Sequence, residues 1–543
     1  MNMRKATVLL LFFSVLRLTT LAHQPYVSAV WRADQGRSFQ NPVIYADYSD
    51  PDVCVGKDGY YMTASSFNCV PGLPILYSTD LVNWTIVGHA LQKLVPEEHF
   101  NLPQHGNGVW APAIRYHNDE YYIYWGDPDF GIYMVKTDDP RGRWQDPVLV
   151  KAGRGLIDAC PLWDEDGRAW LSFAFAGSRR GLKSVLLMTE MTPDGTRALG
   201  QARIIYDGHR DNPTIEGTKL YKYQNHYYIF SPAGGVSTGW QEVLRAEHPF
   251  GPWQAKTVMA QGNTDINGPH QGGWVRTSQG EDWFIHFQDV GAVGRIVHLN
   301  PMVWGQDGWP VIGLDADKDG VGEPVRKYRK PAGLTSAVCT PQESDDFDCN
   351  ELGLQWQWQA NPQPEWYFLD PTNGGRIRLF AADLTGEQIS LWDASNLLLQ
   401  KFPAADFTAT AKVVFEPKKQ TVGERGGLVV MGMDYATLGL EQTAQGLMLT
   451  QGLCQKADRL GREAQVQSMP LTRNELYLRV SVKNGRDCRF AYSIDGRHFT
   501  DFGEVFQARE GKWIGAKVGM YCTRSASSND SGWLDVESFT VTK

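Results

Sequence analysis

Apolar and polar residues alternate over short runs of this chain, as in "RIRLF" (376–380) and "ELYLRVSV" (475–482), which is the period-two signature of half-buried strands. No long stretch carries apolar residues at helical spacing, so the predicted class is all-β. A longer regularity lies over the first two-thirds. A polar turn leads into a strand with paired aromatics in "KDGYYMTAS", "HNDEYYIYWG", "DEDGRAWLSFA", "YQNHYYIFSP" and "QGEDWFIHFQ". The second aromatics, Tyr61, Tyr122, Trp170, Tyr228 and Phe284, recur about every 50 to 60 residues, enough for one four-stranded blade each. Five units predict a five-bladed β-propeller over residues 38–325. The segment "GEPVRKYRKPAGLTSAVCTPQESDD" then breaks the pattern, and 326–345 reads as a linker. Alternating runs resume over 346–543 and predict a β-sandwich of the concanavalin A-like jelly-roll kind.

Composition sharpens this picture. A chain of 543 residues exceeds one hydrophobic core, and 19 Trp with 55 Gly favour short strands and many turns. The net charge of -9 without a basic stripe argues against a nucleic-acid partner. It also disfavours a strongly anionic polysaccharide, unless a local patch escapes the argument. Residues 1–22 start with Arg4 and Lys5, continue apolar and reach Thr20-Leu21-Ala22, the pattern of a signal peptide. An exported protein, periplasmic or secreted, is expected. No other stretch is long and apolar enough to span a membrane. The eight Cys are scattered without metal-ligand spacing, and Cys339 with Cys349 is the pair to test first for a disulfide, although sequence does not assign connectivity. "DADKDG" (315–320) imitates a calcium loop, but Arg326 stands where the loop wants Glu, so a polar turn is the better reading. Trp356, Trp358 and Trp366 suit either a sugar-stacking platform or the sandwich core.

The chemistry is carried by isolated acids in a shared register. Asp50 in "YADYSDPDVCV", Asp158 in "GLIDACPLWDEDG" and Glu216 in "TIEGTKLYKYQNHYY" precede the aromatic strands of blades one, three and four. Equivalent blades would point all three at one axis. Glycoside hydrolysis needs such a set: a protonated carboxyl to donate, a carboxylate to activate water, and a neighbouring charge that keeps the donor protonated. Any one acid alone would be read as a surface turn. Asp47 and Asp52, beside Asp50, are read as turn and backbone-capping residues.

These motifs resemble glycoside hydrolase family 43 along nearly the whole chain, including a sandwich like that of its β-xylosidase members. Asp50-Pro51 matches the family's "DP" base motif, Asp158 its pKa-modulating Asp, and Glu216 the acid of its "EGP.LYK"-like motif. Thr218 stands where many members have Pro, and "SDPDV" where many have "PDPSI". The resemblance implies inversion, with Asp50 as base, Glu216 as acid and Asp158 tuning it. No "RDP" or "EC" string supports the rival retaining fructosidases. By the same resemblance Phe67 in "SSFNCVPGLPI", Trp110 in "VWAPAIRY" and Arg295 in "VGRIVHL" are expected against the sugar. His270 in "INGPHQGGWV" is expected at the axis, beside bound calcium or a water network. No cofactor is required by the chemistry, with calcium an option at His270. The expected substrate is a plant cell-wall oligosaccharide or polysaccharide, attacked at terminal α-L-arabinofuranosyl residues, with β-D-xylosyl release second. A non-catalytic carbohydrate-binding propeller is the alternative from another class.

Overall fold

The computed structural model describes residues 25–384, 390–525 and 528–543, so the leader expected at 1–22 lies outside the described residues. Five four-stranded antiparallel sheets form the propeller. Their first strands, Asp52–Val55, Trp110–His117, Leu156–Trp163, Lys219–Tyr223 and His270–Arg276, are innermost. The paired aromatics occupy the second strands. Successive side chains of a strand face opposite ways, so each pair sends one ring to either side of its blade. Tyr61 of blade one meets Tyr121 of blade two with ring centres 5.1 Å apart, and Phe230 of blade four meets Phe284 of blade five at 5.9 Å. The repeat read in the sequence is therefore an inter-blade packing signal.

The two ends of the propeller chain are tied side by side. Ser38–Gln40 pairs with Lys327–Arg329 beyond blade five, and the Asn41 side chain donates to the carbonyls of Leu299 and Val325. The C-terminal domain packs two sheets face to face, with strands such as Phe407–Glu416 burying alternate residues. Trp356, Trp358 and Trp366 are 1%, 3% and 7% exposed, which puts them in or beside that core and ends the stacking-platform reading.

Two backbone contacts are among those that join the sandwich to the propeller. Trp358 and Val70 exchange both backbone hydrogen bonds, at 2.6 and 3.0 Å, beside blade one. Across blade five the amide of Ala516 donates to the carbonyl of Ala292 at 2.7 Å. The second contact needs glycine: a Cβ on Gly294 (φ +90°) would stand 2.7 Å from the Cα of Gly515 and 2.6 Å from Asp47 Oδ1. All eight cysteines are unbridged; Cys339 and Cys349 line one recess without a bond between them. Asp315 accepts from the amides of Asp319 and Gly320, the self-capped polar turn that the sequence suggested.

Candidate active site

Three of the five innermost strands enter the axis through a distorted backbone. The pairing register slips between Trp110 and Ala113, between Ile157 and Cys160, and between His270 and Gly272. Bulges of this sort re-aim side chains and recur beside active sites. Here Ala111, Asp158 and Gln271 sit within them at φ 42°, 61° and 38°. Asp50 (φ 53°), Phe67 (φ 51°), Thr214 (φ 62°) and Trp513 (φ 69°) share this left-handed conformation. Non-glycine residues adopt it at a cost that surrounding packing must offset. All seven line one cavity of about 430 Å³ at the mouth of the axis. The same cavity is lined by every residue singled out from the sequence: Asp50, Asp158, Glu216, Phe67, Trp110, Arg295 and His270.

Asp50 is held by three donors. Ser49 Oγ and Ser65 Oγ both reach its Oδ2, at 2.8 and 2.6 Å, and Arg295 Nη1 approaches both oxygens at 3.3–3.4 Å. The amide of Ala111 donates to Ser65 Oγ at 2.7 Å, so the serine proton is directed at Asp50. Donors to a carboxylate favour its charged form. Glu216 lies in the opposite regime. Burial, followed by the charges of Asp158 and Asp50, pushes its carboxyl up to about 8, against smaller opposition from Arg295 and Lys183. Asp158 is raised by burial and held back by the amide of Gly217, which donates to its Oδ2 at 2.7 Å. Glu216 thus keeps its proton near neutrality, in the same cavity as a carboxyl gripped by three donors.

The supporting residues divide by position. Phe67 is buried and packs edge-on to the half-buried Trp110 with ring centres 6.4 Å apart. Arg295 stacks over Phe287 at 4.9 Å, and its amide donates to Asp47 Oδ1 at 2.9 Å. Asp47 is thus the backbone cap that was expected. Asp52 is more than that: it accepts from the amide of Ile114 and forms a buried ion pair with Arg115 at 2.6 Å. The cause is burial: a carboxylate 0% exposed on the axis needs a cation as well as an amide.

His270 is buried, and desolvation followed by the charge of Arg295 lowers its pKa to about 3, so the ring is neutral. Among the described residues its Nδ1 has no hydrogen-bond partner. Among the described residues, however, the one grouping of three acidic or imidazole groups at ligand spacing is Asp315, Asp317 and Asp319 on the surface. A lone imidazole does not fit calcium, which prefers several oxygens. The expectation of a metal at His270 finds no donor set.

Three residues that sequence reasoning passed over complete the site. Ser49 and Ser65 lie in stretches already quoted, but nothing in their spacing marks them as partners of Asp50. Trp513 comes from the sandwich. Its ring meets Trp110 edge-on at 6.1 Å and Arg295 at 5.9 Å, and it remains 50% exposed. A lone Trp in "EGKWIGAK" has no periodic context to reveal it.

A donor-held carboxyl and a protonated carboxyl facing one sugar-sized cavity are the set that glycoside hydrolysis needs. The chain belongs to glycosyl hydrolases family 43: the family's model matches residues 39–310, and that of the beta xylosidase C-terminal concanavalin A-like domain matches 344–542. It is 35% identical over 500 residues to a putative beta-xylosidase of Xylanibacter ruminicola, covering 90% of this chain and 87% of that one. It is 28% identical to a non-reducing end alpha-L-arabinofuranosidase of Bacteroides ovatus, covering 92% and 94%. The fold matches that of the GH43 protein BlXynB from Bacillus licheniformis, with a TM-score of 0.80 at 24% identity over 93% and 99% of the two chains.

Proposed function

We propose that this hydrolase is an exported, inverting exo-glycosidase. It removes terminal β-D-xylosyl or α-L-arabinofuranosyl residues from plant cell-wall glycans or their oligosaccharides. The observation that carries the reading is the contrast between Asp50, gripped by donors, and Glu216, raised to about 8, in one cavity. Asp50 takes a proton from water as the water oxygen bonds to the anomeric carbon. The glycosidic bond breaks, and Glu216 gives its proton to the departing oxygen. Asp158 disfavours ionisation of Glu216 before the sugar arrives. An inverting pair stands about 6.5–9.5 Å apart to admit the water.

Trp513 and Trp110 narrow one side of the cavity, which supports attack on chain ends rather than within chains. The names of the two relatives support giving the two sugars equal weight. That departs from the arabinofuranosyl preference expected from the sequence. Export rests on residues 1–22 alone.

Hydrolysis of aryl β-D-xyloside and aryl α-L-arabinofuranoside by the wild type, with NMR of the first-formed anomer, tests the proposal. Turnover with inverted configuration is expected. A retained anomer overturns the mechanism, and no turnover on these or on xylo- and arabino-oligosaccharides favours a binding propeller.

A further inference from the structure

Lys219 opens the first strand of blade four, three residues after Glu216, and is 0% exposed. Its Nζ donates to the carbonyl of Pro112 on blade two at 2.9 Å, so the side chain spans the axis. Among the described residues it forms no ion pair within 4.0 Å. An ammonium ion buried in this way is costly unless nearby negative charge compensates it.

The axis carries charged and titratable groups from every blade. Blade one brings Asp50 and Asp52, blade two Arg115, blade three Asp158 and Cys160, blade four Glu216 and Tyr221, and blade five Arg295 and the neutral His270. Asp52 is matched by Arg115 at 2.6 Å and Asp50 by Arg295 at 3.3 Å. Burial raises the proton affinity of Cys160 and Tyr221, which leaves both neutral. Lys183 is exposed, and Asp289 lines a neighbouring recess. Two carboxyls, Asp158 and Glu216, are then left to share the one remaining cation. The two residues before Lys219 clasp Asp158, Gly217 through its amide and Thr218 through its hydroxyl, at 2.7 and 2.8 Å. Burial raises Asp158, the Gly217 amide opposes this most, and the charge of Lys219 adds to that opposition, whereas the cations that act most on Glu216 are Arg295 and Lys183.

We infer that Lys219 is a positioning residue: the buried counter-charge that keeps Asp158 ionised, so that the single proton of the Asp158–Glu216 pair resides on Glu216. This rests on the assignment of Glu216 as the acid. Coupled carboxyls titrate as a pair. Removing the cation raises both apparent pKa values and moves part of the shared proton to Asp158, where it cannot reach the leaving group.

The test is the pH profile of kcat/KM on an aryl glycoside for Lys219→Met and Lys219→Arg, with circular dichroism to verify folding. In the Met variant both limbs should move to higher pH, by about one unit, with the plateau about tenfold lower. The Arg variant should keep both limbs in place. A Met variant whose bell keeps its position and is merely scaled down overturns the inference, because loss of packing alone would do that. Should the Met variant not fold, lysine-selective NMR of the wild type decides: Lys219 charged from pH 4 to 9 supports the inference, and a neutral amine below pH 7 overturns it. Unimpaired hydrolysis of oligosaccharides by Glu216→Gln would instead sink the acid assignment, whatever Lys219 does.

Discussion

The amide of Gly217 donates to Asp158 Oδ2 at 2.7 Å, so the backbone next to the proposed acid holds the carboxylate that raises that acid's pKa. Thr218 Oγ1 donates to the carbonyl of Asp158 at 2.8 Å and extends the clasp. The Asp158 carboxylate is thereby fixed to the backbone next to Glu216. Asp158→Asn should remove the repulsion on Glu216, and the alkaline limb of kcat should move to lower pH from its position near 8. An unmoved limb would assign it to another group.

Glu216→Gln should lower kcat/KM on oligosaccharides by about 10²–10⁴-fold, the usual size of general-acid assistance. Aryl glycosides with acidic leaving groups need less protonation and should lose less. Equal losses on both substrate types would point to a binding role.

The same substitution carries a stability signature. Glu216 is raised from 4.5 to about 8 in the folded protein, so ionising it opposes folding. Its favourable contribution is full below pH 4.5 and is lost as pH rises toward 8. The Tm of Glu216→Gln minus that of the wild type should therefore increase between pH 5 and 9, as followed by thermal melts in a single buffer series. A constant difference would mean that the carboxyl is not raised.

Ser65→Ala removes the hydroxyl that links the Ala111 amide to Asp50. With one donor fewer to aim the Asp50 carboxylate, kcat on an aryl glycoside should fall about fivefold at constant KM, the worth of about one hydrogen bond. Arg295→Met should cost more, since a charge is lost as well, and a change confined to KM would place both residues in sugar binding instead.

Trp513→Ala should weaken binding by about 0.5–1.5 kcal/mol, seen mainly in KM, because the ring walls the cavity without touching the carboxyls. Longer oligosaccharides should also become relatively better substrates if this ring closes the site. The Tm should change little, given that half the ring is exposed.

Much of this was legible in the linear chain. Alternation and the recurring aromatic pair specify blades, because strand period and inter-blade packing are both local. The register of Asp50, Asp158 and Glu216 follows from the repeat, since equivalent positions in a closed wheel face one axis. Arg295, His270, Phe67 and Trp110 became visible through motif resemblance, and the structure brings all of them to the same cavity.

What the chain pattern left undetermined was decided by closure in three dimensions. Trp513 reaches the site because the Gly515–Gly294 approach lets one domain's loop cross another domain's blade. Ser65 and Asp52 acquired their partners across blades, and Lys219 was buried between them, through bulges and left-handed residues that no apolar–polar alternation records. Periodicity says which face of a strand is inside. Which buried charge meets which depends on distances between segments far apart in sequence, and those exist only once the wheel has closed.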